Sequence, residues 1–188
     1  MAPEKIDKLD AACRQLNTAI SLWFNHGDVV SIHTLACSAH QIVHDINRKQ
    51  RGRDLLYDSP IFKDEYRKEA VKHLKEYYNF FKHAEKDPSG IVEFDPIINE
   101  HLMMFTSLGL EILGQSPDEV RGAFNIYYSL RNPHLLTEKG KAKFIDAVPE
   151  ESRKCVLSMP KEKFIEYYTL LRKQCELGAK PFASGDSR

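Results

Sequence analysis

The chain has 188 residues, of which 42% are apolar, and its 27 basic residues are balanced by 27 acidic ones. This length and apolar content predict one folded domain and exclude a disordered chain, and the zero net charge gives no overall field that would attract nucleic acid or an anionic membrane. Because no stretch approaches the roughly 18 apolar residues of a membrane span and the N-terminus has no signal-peptide pattern, we expect a cytoplasmic protein without membrane contact.

The first two helices are predicted to form a hairpin. Apolar residues recur at spacings of three and four over residues 4–24, which indicates an amphipathic helix. The turn at residues 25–27 ends this helix, and Asp28 is placed to cap a second helix over residues 29–49, with Val29 as the first residue of its core face. Two consecutive helices joined by so short a turn favour antiparallel packing.

The middle of the chain contains two further predicted helices. One begins at Pro60 or just beyond it and extends to about His83. Residues 84–90 have the composition of a loop. Pro96 starts the next helix, and Gly114 ends it.

The C-terminal part contains three more predicted helices. Residues 116–119 (Ser-Pro-Asp-Glu) combine a serine cap, a proline at the first helical position and a glutamate placed for a capping box, which predicts a short helix to about Leu130. Thr137 is placed to cap a helix that extends to about Val148. A final helix is predicted over residues 160–178.

These elements predict the fold class. No segment shows sustained period-two alternation with β-branched residues, so no sheet is expected. We predict an all-α protein, a compact single-domain bundle of about six or seven helices over residues 1–178, followed by a disordered tail over residues 179–188.

A stripe of histidines on the second helix is the most informative local feature. Its members are spaced at offsets of four, seven and eleven, which at about 100° per residue places them within an arc of roughly 60° beside the core face. The stripe consists of His33, Cys37, His40 and His44. Such a border position suits side chains that line a cleft, and it also suits half-buried structural residues.

A polar pocket is predicted between the second and third helices. The third helix carries polar residues at the same spacing, and antiparallel packing would bring its end close to the start of the second helix. The predicted lining residues are His33, Cys37, Glu76, Asn79 and His83.

Three chemistries would use these residues. His33, His40 and His44 would bind zinc or another divalent metal, because neutral imidazoles and thiolates suit such cations. Cys37 would act as a nucleophile with a neighbouring histidine as its base. His83 would act as an acid or base on RNA or a phosphate ester, with Asn79 and Lys82 as its catalytic partners. The alternative for each set is a structural role in the bundle.

Residues 5–90 resemble the HEPN superfamily, helical bundles that include ribonucleases, nucleotide-binding modules and dimerising domains. The resemblance rests on the Gly27-Asp28 turn, the alanine-rich segment 36–39 and the Asn79-x-x-x-His83 element. Active members carry an arginine and, after four to six intervening residues, a histidine. The residue before Asn79 is Tyr78, so the resemblance implies the fold and dimerisation more than ribonuclease activity.

A second resemblance involves the same part of the chain. The segment 79–84 (Asn-Phe-Phe-Lys-His-Ala), followed by Asp87-Pro88, is similar to bacterial helical proteins without assigned function.

The leading prediction is therefore a binding or interaction module of HEPN-like type, without a required cofactor and without catalysis, that forms a homodimer. A metal-independent ribonuclease or phosphate-ester hydrolase is the first alternative, with His83 as acid or base and Lys82 or Arg67 on the phosphate of a nucleotide or RNA. A divalent-metal-binding protein is the second.

Overall fold

Two helices that are connected by a four-residue turn form the base of the structure. The computed structural model describes residues 3–50, 77–85, 87–146 and 148–176. Helix α1 spans Lys8–Phe24 and begins later than predicted, because the Asp7 carboxylate caps it by accepting a hydrogen bond from the Asp10 backbone N–H. Helix α2 spans Val29–Lys49, and the predicted cap is confirmed: Asp28 Oδ1 accepts from the Ser31 N–H at 2.8 Å.

The third predicted helix lies largely outside the described residues, including Arg67 and Glu76. Its last part, residues 77–80, is helical and leads into a loop. Helix α3 then spans Ile97–Ile112. Gly114 follows with a φ of 84°, which is a left-handed conformation that favours glycine, so the predicted end of this helix is confirmed.

Helix α4 spans Glu119–Arg131, and its predicted cap is wrong. Asp118, rather than Ser116, accepts the hydrogen bond from the Arg121 N–H, at 3.0 Å. The buried Arg121 guanidinium donates to the backbone carbonyls of Gln115 and Ser116. These bonds hold residues 115–116 outside the helix, which therefore begins two residues after the predicted proline start.

The C-terminal elements include one helix that the sequence pattern did not predict. A single 3₁₀ turn, Pro133–Leu135, precedes helix α5 at Glu138–Phe144, and the Thr137 cap of α5 is confirmed. The unpredicted helix is α6, Glu150–Ser158, which follows Pro149 and buries only Val156 fully. Helix α7 spans Lys161–Glu176. The predicted disordered tail lies outside the described residues.

The helices form an all-α bundle, as predicted, and the described ranges contain no strand. Helix α1 packs along α2, α2 packs against α3, and α4 packs against α7. The core includes the side chains of Leu16, Trp23, Phe24, Leu102, Met103, Phe124 and Tyr128. None of the helices in the described ranges combines the length and the apolar composition that crossing a membrane requires.

Candidate functional site

His33, the first residue of the histidine stripe, lies deep in the bundle. Only 1% of its surface is exposed. The rings of Tyr77, Phe81 and Phe94 surround the imidazole, with centroid distances of 6.3, 5.4 and 5.1 Å and edge-to-face geometry. The start of α2 and the segment that begins at residue 77 are therefore in contact, as the antiparallel arrangement predicts.

A chain of hydrogen bonds fixes the protonation state of this imidazole. Asn99 on α3 donates from Nδ2 to the Val29 carbonyl at 2.9 Å, so its Oδ1 must be the atom that lies 2.8 Å from His33 Nδ1. Because this oxygen can only accept, His33 carries its proton on Nδ1. The other ring nitrogen, Nε2, then accepts from the Cys37 thiol at 3.3 Å.

The electrostatic environment keeps both His33 and Cys37 neutral. Burial lowers the pKa of His33, against an opposing effect of the hydrogen bond with Asn99. Burial also raises the pKa of the Cys37 thiol to about 12, and the charge of Lys82 offsets this only in part. A thiolate facing an imidazolium is thus disfavoured, and His33 and Cys37 form a neutral hydrogen-bonded pair within α2. The hydrogen bond between His33 and Asn99 joins this pair to α3.

Two of the other predicted pocket residues, Asn79 and His83, face away from His33. Tyr77 and Phe81, one helical turn apart, point toward the imidazole, whereas Asn79 and His83 are exposed. Residue 79 follows residue 77 by two positions, as residue 83 follows residue 81, and two positions correspond to a rotation of about 200° around the helix axis. One pair therefore faces solvent when the other pair is buried. The segment is next to His33 as predicted, but its aromatic face makes the contact.

Lys82 is also exposed at this edge of the bundle. Its Nζ donates to the Tyr78 hydroxyl at 2.7 Å and lies 4.4 Å from the centroid of the same ring. Asn79, Lys82 and His83 are therefore accessible to a ligand from solvent, and their catalytic role stays a prediction. Glu76 lies outside the described residues.

The two remaining stripe histidines are stacked on each other. The His40 and His44 rings have centroids 6.1 Å apart and planes inclined by 20°. Burial and then the nearby His44 lower the pKa of His40 to about 4. No group of three or more His, Cys, Asp or Glu side chains in the described part of the chain is arranged to hold a metal ion.

Two residues of this site have no signal in the sequence. Asn99 is one of several polar residues in helix α3, and Phe94 lies in the loop before it. Asn99 binds a histidine 66 residues earlier in the chain, and no local spacing rule links two such positions.

Comparison with known proteins assigns no relatives. No protein-family model matches this sequence, and no curated protein or solved structure matches it at a significant level. Function is therefore inferred from the side chains and their geometry.

Proposed function

We propose that this chain is an interaction module, an HEPN-like helical bundle that pairs with a second copy through one end of the bundle. The observation that supports this is a group of exposed apolar side chains where α2 and α3 begin. The group, which we call the apolar end, consists of Val29 and Val30 at the start of α2, Ile97 at the start of α3, and Ile91 in the loop that precedes α3. These are four of the eight large apolar side chains that are exposed in the described residues.

The position of Val29 differs from the prediction, which assigned it to the core. Its side chain is 39% exposed, and that of Ile91 in the preceding loop is 96% exposed. Apolar side chains grouped in this way are typical of surfaces that bind another protein, whereas single exposed apolar residues are common everywhere.

The backbone beneath the apolar end is held rigidly. The Asn99 side chain joins the Val29 carbonyl to His33, and Asp95 Oδ1 accepts from the Ile97 N–H at 3.0 Å. The starts of α2 and α3 are therefore fixed relative to each other before any partner binds. A surface that is already ordered loses less conformational entropy on association.

A second copy of the chain is the partner that we propose. The HEPN resemblance implies pairing of this kind, and the zero net charge means that two copies do not repel each other over long distances. A twofold pair would place the same apolar end of each copy against its equivalent.

Two substitutions on one helix test the proposal. Ile97→Glu places a carboxylate in the apolar end, at the first position of α3, where a negative charge suits the helix dipole. Ile112→Glu is the matched control, because Ile112 is also exposed but lies about 22 Å away at the other end of the same helix.

Light scattering and sedimentation velocity should show a dimer for the parent chain and for Ile112→Glu, and a monomer for Ile97→Glu. The melting temperatures of all three proteins should be similar, which separates loss of pairing from loss of folding. A parent chain that remains monomeric at high concentration would rule the proposal out.

A second candidate function is cleavage of RNA by His83. The observation that favours it is the joint exposure of Asn79, Lys82 and His83, which leaves an imidazole and an ammonium accessible to a phosphate. Incubation with mixed RNA would show cleavage by the parent chain, loss of cleavage in His83→Ala, and unchanged cleavage in His26→Ala, a control at another exposed histidine. RNA that remains intact with the parent chain would exclude this candidate.

A further inference from the structure

A group of ionisable side chains lies around the single tryptophan of the chain. Trp23 lies in the last turn of α1. The ionisable residues of the group are Glu100 on α3, Arg131 on α4 and Lys161 on α7. Tyr127 lies between Trp23 and Arg131. We call these five residues the Trp23 cluster.

The aromatic part of the Trp23 cluster is rigid. The indole makes edge-to-face contacts with Phe24, Phe124 and Tyr127, at centroid distances of 5.0, 5.3 and 5.8 Å. All three neighbours are buried in the core. Charged groups held against these rings therefore have well-defined positions.

Glu100 is a half-buried carboxyl with little compensation. Its Oε1 accepts from the Trp23 Nε1–H at 3.2 Å, and this is its single hydrogen bond in the part of the chain that the structure describes. Burial raises its pKa, although the Trp23 hydrogen bond and the charges of Lys161 and Arg131 oppose the shift. The other carboxyl oxygen is thus available to a ligand.

The two cations rest on aromatic rings rather than on carboxylates. Lys161 Nζ lies 4.3 Å from the centroid of the Trp23 ring. The Arg131 guanidinium carbon lies 5.4 Å from the Tyr127 ring centroid, and its Nη1 donates to the Tyr127 hydroxyl at 3.3 Å. Among the described residues, neither cation has a carboxylate within ion-pair distance.

The acidic residue that follows Lys161 in the sequence is occupied elsewhere. Glu162 pairs with His26 at 3.1 Å, at the turn between α1 and α2. Lys161 is half-buried, and burial lowers its pKa. A partly desolvated ammonium and an exposed guanidinium, both held by ring contacts and neither with a described carboxylate within ion-pair distance, form a prepared site for an oxyanion.

We propose that the Trp23 cluster binds a small zwitterionic ligand, with its oxyanion on Arg131 and Lys161 and its adjacent ammonium group on Glu100. The oxyanion is a phosphate or a carboxylate, since the same two cations suit both. The ammonium group accounts for the carboxyl that lies near both cations, because a simple anion would be repelled by Glu100. The site does not depend on pairing through the apolar end.

Trp23 supplies a direct readout of this site. As the only tryptophan, in contact with Glu100 and Lys161, it should change its fluorescence when a ligand binds. The probes are phosphoethanolamine, which joins a phosphate to an ammonium group, glycine, which joins a carboxylate to one, and inorganic phosphate, which has no ammonium group. Calorimetric titration of the same solutions gives the affinities.

We expect phosphoethanolamine or glycine to bind more tightly than inorganic phosphate, and the tighter of the two identifies the oxyanion. Arg131→Gln and Lys161→Gln should each weaken this binding by about tenfold or more, because each removes a charged hydrogen bond. Lys163→Gln is the matched control, since Lys163 is exposed on the same helix and should leave binding unchanged.

Glu100→Gln gives opposite changes for the two kinds of probe. It keeps an oxygen that accepts from Trp23, weakens binding of the zwitterion, and leaves inorganic phosphate bound as tightly or more tightly. The proposal is overturned if neither zwitterion binds the parent chain, if the two cation variants bind as the parent does, or if Glu100→Gln strengthens binding of every probe.

Discussion

Replacing Asn99 with alanine tests the buried connection between α2 and α3. In the parent chain the Asn99 amide accepts from His33 Nδ1–H at 2.8 Å and donates to the Val29 carbonyl at 2.9 Å. Asn99→Ala removes both partners at once. The His33 N–H is fully buried and has no access to water, whereas the Val29 carbonyl belongs to a partly exposed residue and can be hydrated.

The size of the effect follows from these two environments. A buried polar group that loses its hydrogen-bond partner lowers the free energy of unfolding by about 1–3 kcal/mol, which is the range expected for the His33 N–H. The loss for the Val29 carbonyl is smaller, because water can replace the missing donor. We therefore expect Asn99→Ala to lower the free energy of unfolding by about 2–4 kcal/mol, a large share of the stability of a domain of this size.

The assay is urea unfolding at neutral pH, followed by the fluorescence of Trp23. Asn25→Ala is the matched control, because the Asn25 amide also donates to a backbone carbonyl, that of Ser21 at 2.8 Å, but in an exposed position. We expect the control to change stability by less than about 0.5 kcal/mol. If the two variants lose the same stability, the structural role assigned to Asn99 is refuted.

Three other measurements test the caps and the buried ionisable groups. Asp28→Ala should lower the free energy of unfolding by about 1 kcal/mol through loss of the α2 cap, whereas Asp28→Asn should lower it by only a few tenths of a kcal/mol. Equal losses of stability for the two variants in thermal melts would contradict the capping role. The pKa of His40 is about 4 in the folded state, against 6.5 when unperturbed. Between these two pH values the unfolded state binds more protons than the folded state, so the free energy of unfolding must decrease as the pH falls from 6.5 to about 4. His40→Leu should flatten this decline in urea midpoints measured across the window, and an unchanged slope would show that His40 does not titrate as described. In native protein at about pH 8, iodoacetamide should modify the exposed Cys155 and leave Cys37 unmodified, because Cys37 is buried and its pKa is about 12. Mass spectrometry measures the modification of each cysteine, and equal modification of both would contradict the burial of the Cys37 thiol.

The reactive residue types on α2 illustrate how a motif differs from a site. His33 and Cys37 are one helical turn apart and do share a hydrogen bond, as their spacing predicts. The surrounding aromatic rings and Asn99 then determine that both groups are neutral and buried. Residue type and spacing predicted the contact, and the environment decided its chemistry.

The sequence was a reliable guide to several of the local interactions that begin and end the helices. Asp28 and Thr137 cap their helices through hydrogen bonds to residues three positions later, and Gly114 ends α3 through its own backbone conformation. The same reasoning failed at α4, because the cap there depends on Arg121 binding the two carbonyls before the helix. It also missed α6, whose sequence buries few apolar side chains and so gives a weak periodic signal.

The sequence by itself thus determined an all-α chain and most of its helix boundaries, because capping and periodicity operate over three or four residues. The tertiary structure alone decided which side chains meet. Asn99 and His33 are 66 residues apart, and Trp23 and Glu100 are 77 residues apart. Such pairs form because separate helices pack around one core, and the packing selects, from many polar residues on helix borders, the few that become buried together.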